Sequence, residues 1–251
     1  MLWTAQSGLI FDCGIRSFEG CRRMLSQHGA QTERIAAVLI SHEHLDHVNR
    51  PALHVLSESG IPIFCHRRCI PSIRKRYWSD DIDEPLPVSE FSAGDFAVGQ
   101  FQIHPIPLKH MDGCPVFGFA VLCPQRGRTH KIVIATDFYE YDERLVDHLT
   151  DADLVFIEAN HNTRLLKKHP NPNSHFHMNN DATARLLLSV RQRSHRPPAA
   201  VMLGHLSEQR NREGLALEAV RKLFRDNGRE LDFPLFAAPR YAPSEVLTVV
   251  A

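Results

Sequence analysis

The amino-acid sequence predicts a mixed α/β fold, because short apolar runs alternate with amphipathic helical segments. Four runs of consecutive apolar residues are typical of strands that are covered on both faces: "AAVLI" (36–40), "KIVIA" (131–135), "DLVFIEA" (153–159) and "AAVMLG" (199–204). Three segments have the apolar spacing of helices: "SFEGCRRMLSQHG" (17–29), "NNDATARLLLSVRQRS" (179–194) and "EGLALEAVRKLFRDNG" (213–228). Such a pattern is typical of layered α/β domains.

The first and last helical segments carry their own boundary signals. Ser17 can cap the first helix, Gly29 can end it, and Gly228 can end the last one. The apolar face of the first helix is predicted to consist of Phe18, Cys21 and Leu25.

Length and composition indicate an ordinary folded chain. Its 251 residues fit one large domain or two small ones, and we predict a single domain over residues 1–251. The proline-containing stretches "DIDEPLPVSE" (81–90) and "HPNPNSHFH" (169–177) are predicted to be surface loops inside it. Hydrophobic residues make up 43% and charged residues 23%, which argues against disorder.

The overall charge favours no class of partner. Lys plus Arg and Asp plus Glu both number 29, so the whole-molecule field does not steer a ligand. A nucleic-acid-binding role would therefore need local basic patches. The strongest such patch is "RRCIPSIRKRYW" (67–78), which either holds a phosphate backbone or is simply a solvated helix face.

No apolar run approaches the ~20 residues of a membrane span. The opening "MLWTAQSGLIF" lacks the basic region and cleavage site of a signal peptide. We therefore expect a cytoplasmic protein without a membrane partner, whose six cysteines are reduced thiols. In "CHRRC" (65–69), buried thiols are favoured over a structural zinc site, since no second cysteine pair accompanies them.

Each strand-like run leads into a side chain that can bind a metal or carry a proton. An alternating run, "QFQIHPIPLKH" (100–110), does the same. The residues at these run ends are His42, His110, Asp137, Glu158 with His161, and His205. Because ligands in layered α/β folds bind beyond the carboxyl ends of strands, we expect these side chains to form one shared polar site.

The densest group of such side chains lies in "SHEHLDH" (41–47). His42 and His44 alternate in an extended loop, whereas Asp46 and His47 are predicted to lie at the start of the next helix. Imidazole and carboxylate are the usual ligands of Zn²⁺ and related ions. A merely solvated loop is disfavoured by three histidines and an aspartate directly after a buried strand. We expect the loop to divide its ligands between two ions about 3.5–4 Å apart.

This His-x-His-x-Asp-His pattern resembles the signature of the metallo-β-lactamase fold superfamily. Downstream, "LKHMDG" (108–113), "IATDFYE" (134–140) and "LGHLSEQRN" (203–211) resemble its third-ligand, bridging-aspartate and terminal-histidine segments. "FIEANHN", "FHMNNDA" and "HLSEQRN" are similar to the WalJ (YycJ) branch, which is related to ribonuclease Z and ribonuclease J. The resemblance runs from "LIFDCG" to about residue 228 and implies a four-layer αββα sandwich with two mixed sheets.

The resemblance implies seven ligands for two divalent metal ions. One ion would be held by His42, His44 and His110, the other by Asp46, His47 and His205, and Asp137 would bridge them. Zn²⁺ is the expected metal, with Mn²⁺ and Fe²⁺ as alternatives, since such sites accept all three. A bridging aspartate favours hydrolases over true β-lactamases, which usually place a cysteine in the second site. Asp12 and Glu158 would orient or support the ligands.

The resemblance also implies a metal-dependent phosphodiesterase, specifically a nuclease of the DNA exonuclease kind that uses a hydroxide activated by the metal pair. Asp46, His177 and His161 are the candidate catalytic residues. His177 would contact the phosphate or protonate the leaving oxygen. His161 either faces the substrate or is a supporting or surface histidine.

The residues leave other functions open. These are hydrolysis of small phosphodiesters such as cyclic nucleotides, hydrolysis of thioesters or lactones with the same metals, and a non-catalytic scaffold that the intact ligand set argues against. The expected partner is a nucleic acid or a small phosphodiester, and a homodimer is compatible with the sequence. Phe138 and Tyr139 replace the Thr-Gly that often follows the bridging aspartate, which weakens the substrate assignment more than the metal assignment.

Overall fold

A computed structural model describes residues 1–27, 29–78, 86–92, 94–125 and 127–249. The chain divides into two compact units, Met1–Gln102 with Gly113–Phe117, and Ile103–Asp112 with Gly118–Ala251. Each unit contains its own buried apolar cluster. The two units do not test whether residues 1–251 form a single domain, which stays a prediction.

The first unit is built on a five-stranded sheet. The elements of this unit in chain order are β1 (Leu2–Trp3), β2 (Gly8–Phe11), α1 (Phe18–Ser26), β3 (Ile35–Ile40), α2 (Arg50–Glu58), β4 (Ile63–His66), α3 (Ile70–Tyr77), β5 (Ser89–Phe91) and β6 (Phe96–Val98), with a 3₁₀ helix at Gly29–Arg34. Strands β2, β3, β4 and β5 are parallel, and β1 pairs antiparallel with β2, giving the order β1-β2-β3-β4-β5.

Strand β3 confirms the first predicted strand, because Ala37, Val38 and Leu39 are fully buried. Helix α1 is capped as predicted, since the Ser17 hydroxyl accepts a hydrogen bond from the Gly20 N–H at 3.0 Å. One part of its predicted apolar face is wrong: Phe18 is 40% exposed. Phe18 is the first residue of the helix and lies beside His54 and Arg22 rather than in the core.

The start of helix α2 also corrects a prediction. Asp46 and His47 lie in a turn before the helix, which begins only at Arg50. The physical reason is the capping residue: the Asn49 side chain accepts a hydrogen bond from the Ala52 N–H at 3.1 Å, with Pro51 in the first turn. Asp46 and His47 are therefore held by a turn and not by helical geometry.

The second unit carries most of the other sheet. The elements from β7 onward are β7 (Phe101–Leu108), β8 (Val116–Gln125), β9 (Arg128–Ala135), α4 (Glu143–Leu149), β10 (Leu154–Glu158), α5 (Thr163–Lys168), α6 (Asn180–Arg193), β11 (Ala200–Gly204), α7 (Glu213–Asp226) and β12 (Leu235–Ala237). The strands of this unit follow the order β12-β11-β10-β9-β8-β7. Strands β9 to β12 are parallel, and β8 runs antiparallel to β9.

The apolar runs that predicted strands do form β9, β10 and β11, which are paired neighbours. Helix α7 buries Ala216, Val220 and Phe224 on one side, as its apolar spacing requires. Of the two predicted loops, the one over 169–177 contains a 3₁₀ helix, Pro172–Phe176, and the one over 81–90 falls for residues 81–85 outside the described part of the chain.

The predicted α/β class with two mixed sheets is confirmed. Across the described ranges, no helix has the length and apolar content that a membrane span requires.

Candidate metal centre

In the first unit, the four predicted ligands of the loop between β3 and α2 form two neighbouring pairs. The Nε2 atom of His42 lies 2.9 Å from Nδ1 of His44, and Nε2 of His47 lies 3.7 Å from Oδ2 of Asp46. His42 and His47 are buried, whereas the Asp46 side chain is 57% exposed. His42 also lies close to His47, with ring centroids 4.1 Å apart, so the division of these ligands between two ions stays a prediction.

A carboxylate directly after β2 supports this loop. Oδ2 of Asp12 lies 2.8 Å from Nδ1 of His47 and also accepts a hydrogen bond from the Ser41 hydroxyl. The Ser41 hydroxyl in turn lies 2.9 Å from Nδ1 of His42. Engagement of Nδ1 leaves Nε2 of both rings as the nitrogen suited to a metal. The contact predicted for Asp12 is present, whereas Ser41 was missed, although it directly precedes His42.

Gly14 lies against the backbone of the same loop. A Cβ atom on Gly14 would stand 1.7 Å from the carbonyl oxygen of Asp46, and the neighbouring Cys13 N–H donates to the His47 carbonyl at 2.8 Å. Only glycine allows the two backbone segments to approach so closely. The sequence contained Gly14 within "LIFDCG", but nothing local indicated what it would meet.

In the second unit, three predicted residues follow adjacent parallel strands. Asp137 follows β9, Glu158 ends β10, and His205 follows β11. Because these strands are parallel and in register, their carboxyl ends meet at one edge of the sheet. Glu158 is fully buried, and its Oε1 lies 2.7 Å from Nδ1 of His205 and 2.8 Å from Nδ1 of His177.

The charge of Glu158 is stabilised by these donors. Burial alone would raise the pKa of Glu158, but hydrogen bonds from His177 and His205 hold it below its ordinary value. The Phe138 N–H adds a third hydrogen bond at 2.9 Å to the other carboxylate oxygen. An ionised carboxylate behind both rings keeps their protons on Nδ1 and directs Nε2 away from it.

The remaining donors of this unit converge in the same way. Nε2 of His205 lies 3.6 Å from Oδ1 of Asp137, and Nδ1 of His110 donates to the Phe176 carbonyl at 3.0 Å. Ligand atoms of His110, Asp137 and His177 all lie within 4.8 Å of one another. The second unit therefore brings the predicted ligands His110, Asp137 and His205 and the predicted catalytic His177 to one place.

The backbone at these positions adopts a conformation that side chains rarely take. Asp12, Asp137 and His205 have φ angles of 56°, 63° and 52°, in the left-handed region. Over the described residues, Asp151 is the one further non-glycine with a positive φ. Strain of this kind persists where surrounding contacts hold a side chain in place, which is common at functional sites.

His161 is buried next to this group in the second unit. It is 4% exposed, and within the described part of the chain its Nδ1 atom has no hydrogen-bond partner. Burial lowers the pKa of His161, an effect that nearby Glu158 opposes and that His177 and Arg210 reinforce. A neutral imidazole with an unused buried nitrogen is therefore held beside Glu158.

The cysteines of "CHRRC" are buried thiols. Cys65 and Cys69 are both fully buried, and burial, followed by nearby Glu43 and Glu90, raises the pKa of Cys65 to about 12. In the described part of the chain, no cysteine belongs to a group of three or more possible metal ligands. The favoured interpretation of these residues is consistent with this environment.

The residues fit divalent metal ions in both units. Each unit presents imidazole nitrogens and carboxylate oxygens close together, and the opposite ring nitrogens of His42, His47, His110 and His205 are engaged by a hydroxyl, a carboxylate or a carbonyl. Metal-binding histidines typically have this second contact. Histidine and aspartate together suit Zn²⁺, Mn²⁺ and Fe²⁺.

Comparison with known proteins gives one family match and a distant relative. Residues 9–205 match the family model described as the beta-lactamase superfamily domain. Exodeoxyribonuclease WalJ from Streptococcus pneumoniae is 23% identical over 246 residues, covering 94% of this chain and 87% of WalJ.

Solved structures agree on the fold. The metallo-β-lactamase fold protein YhfI from Bacillus subtilis has a TM-score of 0.67 at 18% identity, covering 94% of this chain and 86% of YhfI. The short form of human tRNase Z has a TM-score of 0.61 at 19% identity, covering 99% of this chain and 91% of that protein. A diphosphatase of the PhnP family has a TM-score of 0.62 at 14% identity, covering 97% of this chain and 82% of the diphosphatase.

The predicted metallo-β-lactamase fold is thus confirmed. Since the matched segment spans most of the chain and includes all seven predicted ligand positions, the chain belongs to the beta-lactamase superfamily domain family, a family of metal-dependent hydrolases.

Proposed function

We propose that the chain is a metal-dependent phosphodiesterase and, within that class, a nuclease that removes nucleotides from DNA ends. The observation that carries the proposal is the pair of hydrogen bonds from His177 and His205 to buried Glu158. These hydrogen bonds fix the predicted metal ligand His205 and the predicted proton donor His177 on the same carboxylate, and both rings lie near Asp137. The distant likeness to exodeoxyribonuclease WalJ supports DNA as the substrate.

The proposed ligands remain those that the sequence predicts. His42, His44, Asp46 and His47 come from the first unit, and His110, Asp137 and His205 come from the second. Bound Zn²⁺, or alternatively Mn²⁺ or Fe²⁺, would neutralise phosphate charge and lower the pKa of water. Asp12 and Glu158 orient the histidine rings in this scheme, so that each presents Nε2.

His177 is the proposed general acid. Its Nδ1 atom is held by Glu158, and its side chain is 17% exposed, so Nε2 is the atom available to a substrate. A histidine so placed can give a proton to a leaving alkoxide, which is a poor leaving group without one. His161, whose buried Nδ1 is unused, is proposed to lie on the substrate side of Glu158.

A substrate panel with one variant tests the proposal. Labelled DNA, labelled RNA, bis(p-nitrophenyl) phosphate, a thioester and a lactone are offered to the metal-loaded chain and to Asp137→Ala. We expect DNA and the small diester to be cleaved, with DNA preferred. Asp137→Ala is expected to abolish both activities and to lose at least one metal ion without unfolding, because it removes a ligand proposed to serve both ions.

Asp147→Ala is the control, since Asp147 is an exposed aspartate of α4. It should keep wild-type activity and metal content. Full metal content with near wild-type turnover in Asp137→Ala would contradict the role of Asp137. Cleavage of the thioester or lactone alone would contradict the phosphodiesterase assignment, and cleavage of the small diester alone would restrict it to small substrates.

A further inference from the structure

Helix α3 carries an unusual concentration of exposed positive charge on the first unit. Its apolar side is anchored by fully buried Ile73, and Trp78 directly after it stacks on His54 at a ring distance of 4.4 Å. Five exposed cations lie on and before the helix, and we name them the α3 basic surface: Arg67, Arg68, Arg74, Lys75 and Arg76.

These cations are not used for internal ion pairing in the described part of the chain. Helix α1 of the same unit behaves differently, because its Arg22 and Arg23 pair with Glu58 and Glu19. Nor does the surface reflect a basic protein, since the chain as a whole has a formal net charge of zero. Among the described residues, these five cations have no ion-pair partner, which favours an external anionic partner.

Helix stabilisation does not account for the whole surface. Cations in the last turn of a helix interact favourably with its exposed carbonyl groups, which would explain Arg74, Lys75 and Arg76. Arg67 and Arg68, however, precede the helix, at the end where the helix dipole disfavours positive charge. Interaction with the helix dipole therefore accounts for the cations at the C-terminal end of α3 but not for Arg67 and Arg68.

The C-terminal end of α3 contacts residues 41–47 of its own unit, which we name the metal loop for the four predicted metal ligands that it carries. The Tyr77 hydroxyl donates a hydrogen bond at 3.1 Å to the carbonyl oxygen of Glu43, which stands between His42 and His44. A ligand bound along α3 would thus end at the loop that carries four of the predicted metal ligands.

The dimensions suit a polymer better than a single nucleotide. Helix α3 has eight residues, so its two cationic ends lie ~12 Å apart along the axis. With a rise of ~3.4 Å per nucleotide in a stacked strand, this distance spans roughly three to four phosphates. A mononucleotide or cyclic nucleotide would leave one end unused.

We propose that the α3 basic surface binds the sugar–phosphate backbone of a polynucleotide and leads it to the metal loop. The inference rests on the proposed phosphodiesterase function and adds the surface through which a polynucleotide substrate would bind. Each cation that contacts a phosphate releases counterions, so binding through this surface weakens as salt concentration rises.

Two matched double variants test this inference. Arg74→Gln with Lys75→Gln changes the α3 basic surface, and Arg221→Gln with Lys222→Gln changes the same exposed Arg-Lys pair on helix α7. The Kd of the full metal-loaded chain for a labelled ~20-nucleotide phosphorothioate DNA, which resists cleavage, is measured across a salt series. Circular dichroism checks that both variants are folded, and Arg67→Gln with Arg68→Gln provides a second α3 variant.

Both α3 variants are expected to raise the Kd about five- to twentyfold at ~50 mM salt and to reduce the salt slope by about one to two. The α7 variant should change neither quantity. The ratio of kcat/KM on DNA to kcat/KM on bis(p-nitrophenyl) phosphate should fall about tenfold in the α3 variants alone, if contacts with phosphate are lost.

Equal effects of the α3 and α7 variants, or none, would overturn the inference. So would binding of anionic phospholipid vesicles that is as tight as DNA binding and equally sensitive to the α3 changes. If no phosphodiester is hydrolysed at all, the proposed function fails, whereas the Kd measurement still tests the α3 basic surface independently.

Discussion

Glu158 shows what a single residue contributes to the candidate site. It is fully buried, yet it remains ionised because His177, His205 and the Phe138 N–H all donate to it. The sequence predicted a supporting role from its place at a strand end. Which histidines it supports could not be predicted, because His177 and His205 lie 19 and 47 residues away along the chain.

His177→Ala tests the proposed general acid at this site. Both metals should stay bound, since His177 is not among the seven proposed ligands. The value of kcat should fall by roughly 10²–10⁴ on DNA, the usual effect of losing a placed acid. The loss should be smaller on bis(p-nitrophenyl) phosphate, whose leaving group needs little protonation. Metal loss would instead mark His177 as a ligand, and equal losses on both substrates would leave only a positioning role.

Asp153 carries a different kind of residue-scale prediction, one of stability. Its side chain is 2% exposed and accepts hydrogen bonds at 2.8 Å from Arg128, Arg196 and the Lys131 N–H. Burial would raise the pKa of Asp153, but these donors together lower it. A lowered folded-state pKa means stability that is present above the unfolded value and lost as pH falls through the folded one.

Asp153→Asn should therefore reduce the free energy of unfolding by about 2–4 kcal/mol at pH 7. The difference from wild type should shrink below about pH 4, where the Asp153 carboxylate of the unfolded chain begins to take up a proton while that of the folded chain stays ionised. Urea unfolding at several pH values measures it, with the exposed Asp147→Asn as control. A difference that is constant from pH 7 to pH 3 would contradict the ionic explanation.

At the scale of elements, the strands could be predicted from the sequence, whereas the contacts between segments that are distant along the chain could not. Continuous apolar residues predict β3, β9, β10 and β11, because short runs of this kind are typical of strands that are covered on both faces. The start of α2 was predicted too early, since the Asn49 cap overrides the polar residues before it. Contacts between distant segments, such as Asp12 with His47, have no local signal in the sequence.

Gly14→Ala tests how closely two segments of the first unit must approach. The added methyl group would meet the Asp46 carbonyl, so the turn that holds Asp46 and His47 must shift. We expect metal affinity to fall about tenfold, a loss comparable to that from altering a supporting residue. Metal retention during dialysis against a weak chelator measures the change.

Gly214→Ala is the matched control, because no atom lies within 4 Å of the position its Cβ would take in α7. It should leave metal retention unchanged and stabilise the chain by up to about 1 kcal/mol. Wild-type metal retention in Gly14→Ala would mean that the loop tolerates the displacement and that close packing is not required there.

At the scale of the whole molecule, the predicted ligands extend from residue 42 to residue 205 and are divided between the two compact units. These ligand positions could be predicted because the motifs that contain them occur in the same order as in a known family. The substrate could not, because composition gives zero net charge and the residues on the substrate side depart from the family pattern. The link between the α3 basic surface and the metal loop could not be predicted either, because it depends on the hydrogen bond between Tyr77 and Glu43, which are 34 residues apart.

The most direct test of a metal-dependent phosphodiesterase is hydrolysis of bis(p-nitrophenyl) phosphate, measured against metal bound per chain. The metal-free chain is titrated with Zn²⁺ or Mn²⁺, and bound ions are counted by elemental analysis at each point. Activity should be absent without metal, rise with loading and level off at about two ions per chain. Less than about half an ion per chain after loading, or turnover that persists after chelation, would contradict the account.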